Sequence, residues 1–350
     1  MKCIVLTGGG TAGHVMPHIA WLKGLRAEGW DVRYVGSCGI EKQLISQQNV
    51  PFYEIPVGKL RRYWSLQNFI DPFKVLGGFF WSLFYLMRLK PDVVLSKGGF
   101  VSVPVALAGW CLRIPVVIHE SDVTPGLANK ISQPFASQVL YSFPETEKYI
   151  SSKSQWLLPP VRSELKEGSR DRGLQWLGFS KDARPIVLVT GGSLGAARLN
   201  QAVVEELEVL LKSYRIVHLT GAGKNLAEDR EGYKSFEYLG QELADVIAAA
   251  DFVVARAGAN SIFEFLELEK PMLLVPLEIG SRGDQLLNAQ SFEKQGWAKI
   301  LREKDLKNQL IPALHLLSAE SSVIIEAQKS GKKTLETSPS LIKILKNIHK

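Results

Sequence analysis

Four short glycine-containing segments hold most of the residues in this chain that could do chemistry. They are residues 8–13, 96–102, 191–196 and 255–261, and each follows a β-branched run. Glycine lets a backbone approach a ligand closely, and a helix that follows offers free N–H groups and a partial positive charge. A tight turn without a ligand would explain one such loop. Four of them favour binding of anionic or polar groups.

The first loop, residues 8–13, matches the pattern GxGxxG of a dinucleotide site. That fold expects an acidic residue at the end of the second strand to hold the ribose, but this strand ends in Val35-Gly36-Ser37 and the next carboxylate is Glu41. A phosphate-binding P-loop does not fit either, because the loop is followed by His14 instead of lysine. The general interpretation as a ligand-binding loop remains.

Three titratable residues stand beside these loops. His14 lies at the start of a predicted helix, where the dipole keeps a neutral ring available as a general base, a role worth about 10²–10⁴-fold in rate. Support of its own loop is the alternative. His119 ends a strand, and we expect it to organise a loop or contact substrate. Glu264 would accept hydrogen bonds from both ribose hydroxyls, or would lie on a solvated helix face.

The sequence lacks the motifs that several other kinds of active site require. There is no HExxH motif, no DxD-like pair beside a glycine loop and no Cys/His cluster, so metal dependence is not indicated. There is no GxSxG nucleophile elbow. The three cysteines, Cys3, Cys38 and Cys111, show no CxxC spacing, which is consistent with a reducing cytosol. An enzyme of this composition would work by direct displacement, with cationic and dipolar help to a leaving phosphate.

The spacing of apolar runs predicts the elements that carry these loops. Near-continuous apolar strands alternate with helices, which indicates parallel sheets covered on both faces. The predicted strands are residues 3–7, 32–35, 93–95, 116–119 and 138–141 in one sheet, and 185–190, 215–219, 236–239, 252–255 and 272–275 in another. The fold class is therefore α/β, with two Rossmann-like doubly wound domains whose strand ends face a cleft.

The length of 350 residues also suggests two domains, at about 150 residues each. We place the boundary near Pro160, which gives domains of residues 1–160 and 161–334. The last residues, 335–350, are predicted to form a helix that packs back on the first domain.

The net charge of +7 is concentrated in residues 59–90, which hold six basic residues, one acid and nine aromatic residues. Thirteen uncharged residues, 75–87, are too few to span a bilayer and too apolar for a nucleic-acid surface. We expect peripheral attachment to an anionic membrane, and a buried helix with basic ends is the alternative.

Together these motifs resemble the MurG family, the UDP-GlcNAc:lipid I N-acetylglucosaminyltransferases of bacterial peptidoglycan synthesis. The resemblance covers essentially the whole chain and rests on residues 8–17, 97–104, 119–130, 161–162, 191–196, 255–264 and 283–289. It implies a GT-B type fold and inverting transfer to a β-1,4 linkage, without a metal or cofactor. It also implies a peripheral position on the cytoplasmic side of the cell membrane.

The resemblance implies roles for individual positions. Thr11, Ala12 and Gly13 would approach the sugar and acceptor side of the donor, with His14 as the base. The remaining positions would hold the parts of UDP-GlcNAc: Arg162 and Ser193 the nucleotide or its diphosphate, the Leu239 backbone the uracil, Glu264 the ribose, and Gln285 and Asn288 the GlcNAc hydroxyls.

The chain departs from the family pattern at three places. The frequent Gly-Gly after the threonine is Ala12-Gly13, a small change that leaves room for a ligand. The familiar His-Glu-Gln-Asn is residues 119–122, with Ser121 and Asp122 at its end, so donor contacts of that asparagine are not carried over to Asp122. Pro159 stands where the family usually has Gly or Asn before Pro-Val-Arg, which is Pro160-Val161-Arg162 here, and this change alters the loop but keeps Arg162.

We therefore expect transfer of GlcNAc from UDP-GlcNAc to the MurNAc C4 hydroxyl of lipid I, giving lipid II. The expected partners are these two substrates and an anionic membrane, with cell-wall synthesis proteins as candidates and no nucleic acid. The alternatives are another GT-B glycosyltransferase with a lipid acceptor, a UDP-GlcNAc 2-epimerase, and a non-catalytic nucleotide-sugar-binding scaffold at the membrane.

Overall fold

A computed structural model describes residues 2–58, 67–150, 153–179, 183–192, 195–278, 283–335 and 338–348. The chain divides into two compact units, Met1–Pro160 with Ser338–Lys350, and Val161–Thr337. Each unit contains its own parallel sheet.

Within the described residues, the first unit is built on a seven-stranded parallel sheet in the order β3-β2-β1-β4-β5-β6-β7. Its strands are β1 (Cys3–Thr7), β2 (Asp31–Gly36), β3 (Phe52–Glu54), β4 (Val93–Ser96), β5 (Val116–Glu120), β6 (Gln138–Tyr141) and β7 (Ser154–Trp156). The strand order reverses between β1 and β4, where Thr7 pairs with Ser96. Ligands of doubly wound sheets bind at such a reversal point.

Helices cover both faces of this sheet. They are α1 (Ala12–Ala27), α2 (Ile40–Ser46), α3 (Gln67–Leu89), α4 (Ser102–Cys111) and α5 (Leu127–Ser132), with 3₁₀ turns at Gln133–Phe135 and Pro144–Tyr149. Ile4 and Leu6 enter one apolar core while Val5 enters the other. Successive strand residues point to opposite faces, so a strand covered on both sides must be apolar throughout.

The second unit repeats this plan with six parallel strands, in the order β10-β9-β8-β11-β12-β13. Its elements are a 3₁₀ turn (Ser163–Glu167), α6 (Arg170–Leu177), β8 (Ile186–Thr190), α7 (Ala197–Glu205), α8 (Leu207–Ser213), β9 (Arg215–Leu219), β10 (Tyr233–Phe236), α9 (Leu243–Ala249), β11 (Phe252–Ala255), α10 (Ala259–Glu267), β12 (Met272–Leu274), α11 (Asp284–Lys294), β13 (Ala298–Ile300), a 3₁₀ turn (Glu303–Asp305), α12 (Leu306–Ala319) and α13 (Ser321–Leu335). The two sheets confirm the predicted α/β class with two doubly wound domains.

The end of the chain returns to the first unit as a short helix, α14 (Leu341–Asn347). Leu341, Ile344 and Leu345 are buried in the same core as Ile4. The helix is shorter than the predicted 335–350, because Leu335 ends α13 and Ser340 begins the last helix by accepting a hydrogen bond from the Lys343 N–H at 3.3 Å. A serine cap satisfies one of the free N–H groups of a first turn.

Sequence patterning misplaced one strand and missed three. The expected strand over residues 236–239 is wrong, because β10 ends at Phe236 after pairing Tyr233 with Ile216. The missed strands β3, β7 and β13 have three residues each, too few to show a period.

No single helix in the described residues is long and apolar enough to cross a membrane. Glu303–Ala319 and Ser321–Leu335 pass together by length and composition, but they are bent by 66° at their junction. Leu310, Leu314, Leu317 and Ile324 of this pair are buried in the core of the second unit. Core helices bury their apolar side chains in this way.

Candidate functional site

The first glycine loop connects β1 to α1, and Glu41 contacts it through a hydrogen bond. This buried carboxylate accepts hydrogen bonds from the N–H groups of Gly10, at 3.3 Å, and Ser37, at 3.1 Å, and from the Ser37 hydroxyl. A Cβ added to Gly9 would lie 2.5 Å from the Glu41 Oε1, and Gly10 has φ +84°. The first acid after β2 therefore shapes the loop from inside.

His14 follows this loop as the third residue of α1. Its Nδ1 lies 2.9 Å from the Gly9 carbonyl oxygen and 3.1 Å from the Thr11 hydroxyl. A carbonyl oxygen only accepts, so Nδ1 donates to it and the basic site of the neutral ring is Nε2. His14 therefore supports its own loop through Nδ1, and its expected role as the base stays a prediction.

The loop after β4 packs backbone to backbone on the first loop. Gly98 and Gly99 have φ +85° and +79°, where L side chains are strained. A Cβ on Gly99 would lie 2.2 Å from the Gly9 carbonyl oxygen and 3.1 Å from the His14 Nδ1. Only glycine fits there, and the contact brings the second loop directly against His14.

The loop after β5 is organised by Glu120, which sequence reasoning did not single out. Its buried carboxylate accepts hydrogen bonds from Asp122 N–H at 3.0 Å, Gly126 N–H at 2.9 Å and Asn129 Nδ2 at 2.7 Å. A carboxylate at the last position of an apolar strand is the signal that could have found it.

His119, one residue earlier, is fully buried. Its Nε2 lies 3.2 Å from both the Leu157 carbonyl oxygen and the Ser142 hydroxyl, and its Nδ1 lies 2.5 Å from the Lys97 ammonium. Burial, with the positive charge of Lys97, holds the pKa of His119 well below 6.5. His119 is therefore a neutral ring that joins loops, which fits the first of its two expected roles.

The corresponding loop of the second unit, after β8, is also shaped by glycine. Gly192 and Gly195 have φ +76° and +67°, and a Cβ on Gly195 would lie 2.2 Å from the Thr220 carbonyl oxygen. Ser193 lies outside the described residues, so its expected phosphate contact stays a prediction.

A buried polar chain supports this loop. The Asn200 Nδ2 donates to the Thr220 carbonyl oxygen at 2.8 Å, and its Oδ1 lies 3.1 Å from the His218 Nε2. Burial lowers the pKa of His218 to about 4, so the ring is neutral, donates from Nε2 and accepts at Nδ1 from the Tyr233 hydroxyl at 3.1 Å.

Arg162 and Glu264 form a bidentate ion pair, although they are 102 residues apart. The Arg162 Nε donates to Oε1 at 2.8 Å and its Nη2 to Oε2 at 3.0 Å. The Glu264 side chain is only 13% exposed, so the alternative of a solvated helix face is wrong. The structure thus brings together the residue expected at the diphosphate and the one expected at the ribose.

The remaining expected donor residues are placed around the carboxyl ends of β10, β11 and β12. Asn288 is buried and its Nδ2 donates to the Ala257 carbonyl oxygen at 3.1 Å. Gln285 accepts from the Leu277 N–H at 2.9 Å through Oε1. Leu239 is half-buried in the loop between β10 and α9. Their contacts with a sugar or a base stay predictions.

No group of three His, Cys, Asp or Glu side chains that could hold a metal occurs among the residues that the structure describes.

Comparison with protein families matches both units. The model of the glycosyltransferase family 28 N-terminal domain matches residues 4–141, and that of the glycosyltransferase family 28 C-terminal domain matches residues 186–344.

Individual relatives match over nearly the whole chain. The chain is 49% identical to the UDP-N-acetylglucosamine--N-acetylmuramyl-(pentapeptide) pyrophosphoryl-undecaprenol N-acetylglucosamine transferase 3 of Bacillus thuringiensis (strain Al Hakam), over 96% of this chain and 98% of the relative. It is also 49% identical to the transferase of this name from Clostridium botulinum (strain Alaska E43 / Type E3), over 92% and 91%. The crystal structure of Acinetobacter baumannii MurG superposes with a TM-score of 0.72 at 28% identity, covering 94% of this chain and 95% of that one.

Proposed function

Because the chain belongs to glycosyltransferase family 28, and within it to the MurG family, we propose that it transfers GlcNAc from UDP-GlcNAc to lipid I. The product is lipid II, and the reaction serves peptidoglycan synthesis. The observation that carries this conclusion is the 49% identity over 96% of the chain. The two parallel α/β units are those of the GT-B fold.

The second unit would hold the donor. The loop after β8 and the N-termini of α7 and α10 offer N–H groups and positive dipole ends to the diphosphate. When UDP-GlcNAc binds, the Glu264 carboxylate accepts from the ribose hydroxyls and the Arg162 guanidinium turns to the phosphates. Fixed positive groups at the departing UDP stabilise the charge that develops there in the transition state.

The first unit would activate the acceptor. The C4 hydroxyl of MurNAc attacks the anomeric carbon of GlcNAc, and its proton goes to the Nε2 of His14. The bond from the anomeric carbon to the UDP oxygen breaks, and UDP leaves with the electron pair. One displacement inverts the α-linked donor and gives a β-1,4 linkage. A positioned base makes the hydroxyl a better nucleophile as the bond forms.

One face of α3 supports membrane association. Phe73, Leu76, Phe80, Phe84 and Met87 recur every three or four residues and are all exposed, with Phe73 at 74% and Phe80 at 64%. Such spacing places them on one side of a helix. A contiguous exposed apolar surface of this kind marks an interaction site.

The opposite face of α3 packs on the domain core, where Leu86 is fully buried. The buried-helix alternative therefore accounts for one side of α3 only. Lys74, Arg88 and Lys90 are exposed and near the stripe in sequence, whereas Lys59, Arg61 and Arg62 lie outside the described residues. We place the enzyme peripherally on the cytoplasmic face of the cell membrane, with the stripe in the interface and the cations beside anionic headgroups.

Replacing Phe80 and Phe84 together by serine is expected to weaken vesicle binding at least tenfold. Burying one such ring contributes about 1.5–3 kcal/mol, so two losses exceed a factor of ten in affinity. Sedimentation with phosphatidylglycerol-containing vesicles measures the effect. The matched control is Val323→Ser, which removes an equally exposed apolar residue (68%) from the second unit. Equal vesicle binding by the wild type and F80S/F84S would show that α3 does not contact the membrane.

The transferase activity is tested with labelled UDP-GlcNAc and a short-chain lipid I analogue. We expect label in a lipid-linked product and none in free sugar. Release of a free epimerised amino sugar would instead indicate the epimerase. Tight binding of UDP-GlcNAc with no turnover on the lipid would indicate the scaffold.

A further inference from the structure

Lys97 is a buried cation that the proposed chemistry does not use. It follows β4 directly and is 3% exposed, although lysine side chains are almost never fully buried without a reason. Its backbone N–H donates to the Thr7 carbonyl oxygen of β1 at 2.9 Å. The residue therefore lies at the reversal point of the first sheet, next to Gly8 of the first glycine loop.

The ammonium of Lys97 joins two loops. It donates to the Nδ1 of His119 at 2.5 Å and to the Ser121 hydroxyl. It also lies 6.0 Å from the centre of the Trp21 ring of α1, within the range of a cation–π contact. One cation thus ties the loop after β4 to the end of β5 and to α1.

The loop that Lys97 anchors reaches the expected base within two residues. Gly99 lies against the Gly9 carbonyl oxygen, which accepts the hydrogen bond from His14 Nδ1. A shift of the loop after β4 would therefore be felt at the His14 ring. Displacement of about 1 Å in a reacting group can cost about 10²-fold in rate.

We propose that Lys97 is a positioning residue for the transfer reaction, holding the loop after β4 so that Gly99 and Gly9 fix the His14 ring. The proposal rests on the proposed transferase function. Lys97 acts through its neighbours, because its ammonium is enclosed by His119, Ser121 and Trp21.

The charge of Lys97 makes the role depend on pH. Burial lowers the pKa of Lys97 to about 8, against the opposing negative charges of Glu120 and Asp122. The other titratable groups around it are His119 of β5 and His18 of α1, both held neutral because burial and the Lys97 charge lower their pKa values. Loss of the ammonium charge above about pH 8 weakens its hydrogen bonds, since charged donors bond about twice as strongly as neutral ones.

Stability has the opposite dependence. Because folding lowers the Lys97 pKa from 10.5 to about 8, the unfolded chain binds more protons between these pH values. The contribution of this group to the free energy of unfolding therefore rises as pH rises through that range. The fall in kcat that we expect above about pH 8 is therefore not a consequence of unfolding, because deprotonation of Lys97 leaves the folded state no less stable.

The test compares Lys97→Met and Lys97→Arg with the wild-type enzyme and with Lys23→Met, an exposed lysine of α1. For K97M we expect kcat to fall about 10²-fold, a KM for UDP-GlcNAc within twofold, and a Tm at pH 7 no lower than wild type. Wild-type kcat should fall as pH rises through about 8, and K97R should regain part of kcat and keep it over that range. K23M should match wild type.

Two results overturn the proposal. In the first, K97M has the same kcat as the wild type and shows the same fall in kcat above about pH 8. In the second, K97M and K97R both lose kcat and Tm, each to the same extent in the two variants. If the wild type does not use the lipid I analogue, the proposed function fails, and amide hydrogen exchange decides on Lys97 alone. Faster exchange in residues 8–13 and 97–101 of K97M supports positioning, and unchanged exchange there contradicts it.

Discussion

Replacing His14 by alanine is expected to lower kcat by about 10²–10⁴-fold and to leave the Kd for UDP-GlcNAc within about twofold. The rate falls because the ring's Nε2 would no longer take the proton of the attacking hydroxyl. The donor affinity should change little because the residues expected to hold the nucleotide, the ribose and the GlcNAc hydroxyls belong to the second unit, whereas His14 belongs to the first. Steady-state kinetics with the lipid I analogue and titration calorimetry with UDP-GlcNAc measure the two quantities.

His14→Gln separates the base from a loop support. The amide of glutamine can still donate to the Gly9 carbonyl oxygen, but it cannot take up a proton at neutral pH. We therefore expect H14Q to be as slow as H14A. The matched control is His315→Ala, which removes an exposed histidine of α12 and should not change kcat. A near-wild-type kcat in H14Q would limit His14 to support of its loop.

Replacing Glu264 by glutamine is expected to lower kcat/KM for UDP-GlcNAc by about 10–100-fold. A hydrogen bond to a charged group contributes about 1.5–3 kcal/mol, and the substitution removes the charge while keeping the shape. It also leaves the Arg162 guanidinium without its anionic partner. Calorimetry with UDP and with 2′-deoxy-UDP measures the ribose contact, because E264Q should lose most of the wild type's preference for the ribose.

Glu267→Gln is the matched control for this substitution. Glu267 ends the same helix and pairs with Lys166 at 2.5 Å, but the Lys166 side chain is 53% exposed. Exposed ion pairs contribute about 0–1 kcal/mol, so donor affinity should not change. An E264Q enzyme that discriminates UDP from its 2′-deoxy form as well as wild type does would show that Glu264 does not hold the ribose.

The sequence was sufficient for the framework of both domains. Apolar runs that end in glycine predicted β1, β4, β8 and β11, because a strand buried on both faces and a backbone with positive φ each restrict the residue types allowed. His14 could be placed for the same reason, since its position is local to one loop. The short edge strand β3 could not be predicted, because three residues carry no periodic signal.

Long-range side-chain pairs were outside the reach of sequence patterning. Arg162 and Glu264 were assigned to separate parts of the donor, and only the folded chain shows that they bind each other across 102 residues. Lys97 was noted only as part of a glycine segment, whereas its burial against His119 depends on the pairing of β4 with β5. Contacts of this kind are set by strand order, which a single sequence does not display.

The structure of the product tests the central claim most directly. After incubation of the wild-type enzyme with UDP-GlcNAc and the lipid I analogue, NMR of the isolated product identifies the anomeric configuration and the linked carbon. The account predicts one β-linked GlcNAc on C4 of MurNAc, with the lipid diphosphate intact. An α-linked sugar, a different linked carbon or an unmodified lipid I analogue would contradict it.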